Sequence, residues 1–316
     1  MRPAGRVWTR FWFEPQPTST LALVRIAFGL VMVSWCVSLA PLLFSVFGRE
    51  GVLTAQPGTR EAGRATWGLL GLFPSNAAVV ALFAITLAAS VCLVLGYRTR
   101  LAAVLVFLGV LSFERRNPWV FDSGDGLLRI IAFYLALAPA GASLSLDRLR
   151  RAREWLWESP LRAPWALRLM QVQLSIVYLA TVWAKTRGTA WNDGTAVSFA
   201  LRIKDLERLP VPHGLTTSVL ASNVMTYGTL AIELAIAILV WNRRARPWVL
   251  GAGVALHIGI AYSIKVGFFS LAMFVLYLTF LPPDTASRLI GRARERVTSL
   301  GRRLARRSDQ PIAAAR

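Results

Sequence analysis

Three side chains in this sequence are suited to moving a proton at membrane depth: Lys185, His257 and Asp125. Lys185 closes the run RLMQVQLSIVYLATVWAK (168–185), in which Gln171, Tyr178 and Lys185 recur at steps of seven, with Ser175 and Thr181 close to the same line. On a helix these residues form one polar stripe on an otherwise apolar cylinder. Such a stripe avoids hydrocarbon by facing another helix or a water-filled cavity, and an ionisable group within it is a functional candidate. The residue type adds to this. Of the 36 basic residues only Lys185, Lys204 and Lys265 are lysines, and lysine can release a proton where arginine cannot. An amine held out of water is penalised in its charged form and becomes a usable base near neutral pH. The same lysine at a helix end can also simply snorkel to the membrane surface, and these residues alone leave both readings open.

The elements that must position these groups are read from composition and hydropathy. A chain of 316 residues that is 55% hydrophobic with a positive mean hydropathy of 0.50 is too apolar for a soluble domain of this charge. Its apolar residues come in blocks long enough to cross a bilayer, which takes about 20 residues. The fold class is therefore all-α: a polytopic transmembrane helix bundle of about eight spans, with interfacial amphipathic helices and a basic cytoplasmic tail. The net charge of +20 fits arginine-rich cytoplasmic loops and attraction to anionic membrane lipids, and no nucleic-acid motif accompanies it. Cys36 and Cys92 fall in apolar segments at opposite leaflets, which argues against a disulfide.

Residues 1–17 interleave arginines with Trp8, Phe11, Trp12 and Phe13 and read as a segment lying in the headgroup layer. Residues 18–282 form the transmembrane domain. Its spans fall near 18–44, 76–95, 101–113, 127–139, 168–185, 223–241, 248–264 and 266–281, and an amphipathic surface segment precedes the fifth. Residues 283–316 form the basic amphipathic tail. Arginine is concentrated at the termini and in the 2–3, 4–5 and 6–7 connections, which places both termini in the cytoplasm and makes the chain multi-pass in the cell membrane. The loop containing Arg116, Asn117 and Asp125 and the loop containing Trp191 and Asp193 then share the outer face, and His257 opens towards it. Arg25 in span one and Glu233 in span six are each costly alone in lipid, so a structural ion pair between them is expected. Asn117 and Asp125 suit turn capping, and Trp191 suits interfacial anchoring.

Leu23-Val24-Arg25-Ile26-Ala27-Phe28-Gly29, Arg116-Asn117-Pro118 with Ser123-Gly124-Asp125, Ile176-Val177-Tyr178 running to Lys185, Trp191-Asn192-Asp193-Gly194, and His257 leading to Phe269-Ser270 and Met273-Phe274 form an ordered set. From about Thr18 to Leu281 it resembles the horizontally transferred transmembrane (HTTM) domain, which is similar to the membrane part of vitamin K-dependent gamma-carboxylase. The resemblance implies a carboxylase-like, lyase-type membrane enzyme in which Lys185 is the base acting on a prenylated, vitamin K-like quinol, with no metal expected. Together with the residue readings, His257 and Asp125 are the further catalytic candidates, with helix packing the alternative for His257, and Tyr178, Trp191, Asp193, Asn117, Arg116, Glu233 and Arg25 are the substrate-binding ones. Two departures stand against protein carboxylation: Asp125 replaces a carboxylase histidine, and no folded domain follows the last span. A non-catalytic membrane partner in secreted-peptide maturation or immunity is the alternative, with a secreted peptide or protein as partner. A transporter fits less well, because no internal repeat is visible.

Overall fold

The computed structural model describes residues 3–53, 67–151 and 156–308, and its regular structure is almost entirely helical. Ten helices carry the architecture: α1 (Pro3–Phe13), α2 (Ser19–Leu39), α3 (Asn76–Leu95), α4 (Thr99–Arg116), α5 (Ser123–Leu137), α6 (Trp165–Lys185), α7 (Val219–Leu239), α8 (Arg246–Ser263), α9 (Phe269–Leu278) and α10 (Pro283–Ser308). A two-residue antiparallel pair, Gln16–Pro17 with Leu161–Arg162, ties the α1–α2 link to the segment before α6. Among the described residues, four helical stretches are long and apolar enough to cross a membrane: Ser19–Phe47, Asn76–Leu95, Trp165–Lys185 and Val219–Leu239. A fifth results if α9 and the start of α10, bent by 100° at their junction, count together. Of the remaining expected spans, α4 and α8 have 18 residues and α5 has 15.

The helix ends follow from local chemistry. Ser75 caps α3 by accepting the Ala78 N–H, and Gly96 ends it at φ +67°, the left-handed position that glycine adopts without strain. A Cβ on Gly96 would also lie 2.7 Å from Nη1 of Arg25, so the turn has to be bare where the arginine passes. Asp122 and Asp125 form a capping box at the start of α5. α2 packs on α3, α3 on α4 and α4 on α5, while α6 packs on α7 and α7 on α8. The short α9 lies between these two groups and touches α2, α5, α6 and α8, which explains why most of its side chains are buried. Close approach depends on small residues: a Cβ on Gly29 of α2 would sit 2.8 Å from Val94 of α3, and one on Gly109 of α4 would sit 2.1 Å from Thr86.

The bundle has two ends: a near end that holds α1, the 96–98 turn, the 138–151 and 156–164 segments, the 240–245 turn and the α9–α10 junction, and a far end that gathers the loops after α2, α4, α6 and α8. At the near end, Arg25 is fully buried, and its guanidinium donates to the carbonyls of Ala140 (3.0 Å), Ser143 (3.2 Å) and Leu144 (2.5 Å). The expected Arg25–Glu233 ion pair is therefore absent. Carbonyls left free by the irregular 138–145 segment lie within reach of the guanidinium, whereas Glu233 sits on α7 and finds another cation. At the far end, Arg116 donates to the carbonyls of Leu53 and Gly48, both at 2.8 Å. The 186–218 connection pairs through Glu207 with Ile264. The loops expected to share a face do share one.

Candidate functional site

The stripe on α6 faces α7 and α9 along its length. Gln171 Nε2 donates to the Thr279 carbonyl (2.7 Å), and Ser175 Oγ donates to the Ala237 carbonyl (2.9 Å) while accepting from Trp241 Nε1 (2.9 Å). One turn beyond Ser175, Tyr178 enters a buried polar cluster. Its hydroxyl lies 2.9 Å from His257 Nε2 and also bonds the Tyr277 hydroxyl. On its other side the imidazole places Nδ1 3.3 Å from Ser270 Oγ, and that hydroxyl donates to the His257 carbonyl. A serine already donating elsewhere can only accept from Nδ1–H, so the network fits an imidazole carrying its proton on Nδ1. Nε2 then accepts from Tyr178, which accepts from Tyr277. Every polar atom is satisfied in one direction around the cluster.

Two turns further along α6, about 10 Å by helix rise, Lys185 Nζ lies 2.5 Å from Glu233 Oε1. The ammonium also sits 4.5 Å from the centroid of the Trp191 ring. The lysine side chain is 18% exposed and the glutamate 7%. Glu233 is reached because Ser222, Thr226, Thr229 and Glu233 line one buried face of α7, the face that the threonine spacing marks out in the sequence. Its second oxygen, Oε2, is buried with no hydrogen-bond partner among the described residues. The glutamate charge acts on both tyrosine hydroxyls and the lysine charge acts on His257, so the ion pair and the tyrosine–histidine cluster form one electrostatic unit. Ring contacts of Phe269 and Phe274 with His257 seal its side.

The other sequence candidates have different work. Both carboxylate oxygens of Asp125 are engaged, Oδ1 by Trp35 Nε1 (2.7 Å) and Oδ2 by the Asp122 N–H (2.9 Å). It shapes its turn and, among the described residues, shares no hydrogen bond with Lys185 or His257. Asn117 caps the next turn by accepting from the Trp119 N–H (3.3 Å), Arg116 ties down the 48–53 segment, and Asp193 is exposed beside Trp191. Tyr277 is the member that the sequence reading missed. It lies seven residues after Ser270 in α9, so the two share a face, but a lone tyrosine in a wholly apolar segment reads as packing. Gly253 completes the arrangement: a Cβ there would stand 2.5 Å from the Tyr277 hydroxyl and 2.8 Å from Ile236. The glycine lets α8 bring His257 close.

A cation beside a buried acid is a proton store, and an acceptor oxygen without a partner is a place for a hydroxyl or amide donor. A buried acceptor left unmade costs about 1–3 kcal/mol, so Oε2 is the atom to which an incoming group would bind. A quinol presents hydroxyl donors of the kind that an unpartnered carboxylate oxygen accepts. Among the described residues no group of His, Cys, Asp and Glu could hold a metal ion.

A family model described as "HTTM domain" matches residues 65–285 of this chain. Uncharacterized protein YitO of Bacillus subtilis (strain 168) is 23% identical over 213 residues, 62% of this chain and 65% of the relative. The chain thus spans slightly less than two thirds of that relative's length. No solved structure matches.

Proposed function

This chain belongs to the HTTM domain family and is an integral membrane protein, and on that premise we propose that it is a multi-pass, cell-membrane enzyme of carboxylase-like type. Its Lys185–Glu233 pair takes a proton from a lipophilic acidic substrate such as a prenylated quinol. The topology that goes with this reading has eight spans with both termini and the basic tail in the cytoplasm, so that the far end faces outward. The observation that carries the reading is the buried Glu233 carboxylate, with one oxygen on Lys185 and the other without a partner.

The pair is neutral overall, and the proposed step starts with the shared proton on Glu233, so that the free amine of Lys185 is the acceptor, a role arginine cannot take. Accepting one more proton leaves an ammonium beside a carboxylic acid, a net charge of +1. Trp191, face-on to the ammonium, stabilises that added charge by its ring quadrupole. Tyr178 and Tyr277 form a chain of hydroxyls ending on His257 Nε2, an acceptor that can draw a proton along the line. A bound quinol would supply the acidic hydroxyl and, with molecular oxygen as the oxidant, the reducing electrons. Glu233 Oε2 would orient that hydroxyl, and the aromatic side chains of α9 packed on His257 would exclude water.

Detergent-purified protein extracted with organic solvent tests the reading: a stoichiometric prenylated quinone in the wild type, lost in Glu233→Gln, supports it. Absence of quinone from both, or equal amounts in both, refutes it. The second reading, a non-catalytic partner in maturation of or immunity to a secreted peptide, is favoured by a different observation. The ion pair is closed on itself, and a cavity of about 970 Å³ lies at the other end. Under that reading Lys185→Arg would preserve function, because charge and pairing survive.

A further inference from the structure

A cavity of about 970 Å³ opens on the side of the bundle at its near end. Its wall follows one row of α8, where Arg246, Leu250, Val254 and Ile258 recur every four residues. Twelve residues of helix rise make that row about 18 Å long, more than half of a hydrocarbon core about 30 Å thick. The row begins charged and ends greasy. At the charged mouth Arg168, Arg243 and Arg246 meet, and at the deep end Ile258 and Phe274 are both apolar.

The mouth carries more positive charge than its own residues neutralise. The charges of Arg243 and Arg246 act on Arg168, and that of Arg243 acts on Arg246. Arg168 donates to Gln171 and the Phe11 carbonyl, and Arg246 donates to the Val240 carbonyl, all neutral acceptors. Arg243 is exposed and donates to nothing among the described residues. Two carboxylates stand near. Glu14 is paired with Arg10 at 2.8 Å, which leaves Asp284 against three guanidinium groups. The amino terminus of the 18-residue α8 opens at the same place and adds the positive end of its dipole.

We infer that this groove binds one anionic phospholipid from the leaflet on the α1 side, its phosphate held by Arg168, Arg243 and Arg246 and one acyl chain laid along Leu250, Val254 and Ile258. Charge complementarity selects an anionic headgroup over a zwitterionic one, and the groove runs along α8, which the proposed eight-span topology takes across the membrane, as an acyl chain does. The site is separate from the Lys185–Glu233 unit and does not depend on what that unit does.

Native mass spectrometry of the full-length protein in detergent, offered equal phosphatidylglycerol and phosphatidylcholine, tests this. One retained phosphatidylglycerol, held roughly 10-fold or more over phosphatidylcholine, is the expected result. Arg168→Gln/Arg243→Gln/Arg246→Gln removes the preference. Val254→Trp, which leaves every arginine in place and fills the chain channel, lowers retention even if the triple variant proves unstable. Arg292→Gln/Arg294→Gln on the exposed face of α10 leaves retention unchanged. Equal retention of both lipids, equal loss in the α10 control, unaltered retention in Val254→Trp, or displacement by excess inorganic phosphate would each overturn the proposal.

Discussion

The two ends of α6 treat charge in opposite ways. At the far end a single lysine is matched by a single glutamate at 2.5 Å, covered by a tryptophan and backed by a satisfied network of tyrosine, histidine and serine. At the near end three arginines share a cavity mouth with one carboxylate that has no ion pair among the described residues, and neutral acceptors take up part of their hydrogen-bonding capacity. The first arrangement is complete apart from one carboxylate oxygen, and the second is open to solvent and lipid. Within an apolar bundle, the presence of a charged residue says less about its role than the way it is compensated. The closed site is suited to moving one proton, and the open site to holding an anion.

That contrast can be broken at several points. The largest expected effect is from Glu233→Ala, which strands a largely covered ammonium and lowers stability in detergent by about 3 kcal/mol. The paired replacement Lys185→Met/Glu233→Leu recovers most of that loss, as thermal unfolding of both variants would show. Gly253→Val comes next: its side chain meets the Tyr277 hydroxyl and Ile236, and forcing α8 away costs about 1–3 kcal/mol. Tyr178→Phe removes the shared hydroxyl, leaving His257 Nε2 and Tyr277 each without that partner, at about 1–2 kcal/mol. Arg243→Gln is the smallest, within about 0.5 kcal/mol by the same unfolding measurement, because no hydrogen bond among the described residues depends on it. A large loss there would mean that the near end is as tightly built as the far one.

Much of this was legible in the sequence, and the limits are instructive. The α3 boundaries at Asn76 and Leu95 follow from an uninterrupted apolar block, and the Gln171–Tyr178–Lys185 stripe follows from period alone. The buried face of α7 was visible in Thr226, Thr229 and Glu233. What failed was partner choice. A lone arginine and a lone glutamate in lipid each need a partner, but hydropathy says nothing about which helices adjoin, and backbone carbonyls leave no mark in a residue list. So Arg25 found Ala140, Ser143 and Leu144, and Glu233 found Lys185. Asp125 shows the same limit from the other side: a family position points to chemistry, while the structure occupies both its oxygens with Trp35 and its own turn.

The central claim is that the Lys185–Glu233 pair gives up and takes a proton rather than merely neutralising itself. The most direct measurement is oxygen-dependent consumption of an added prenylated quinol by purified protein, followed by absorbance, in wild type and Lys185→Arg. Arginine keeps the charge and the ion pair but cannot release its proton. The account predicts an unchanged unfolding temperature with turnover reduced by about 100-fold or more. A Lys185→Arg protein that consumes quinol at the wild-type rate would contradict it.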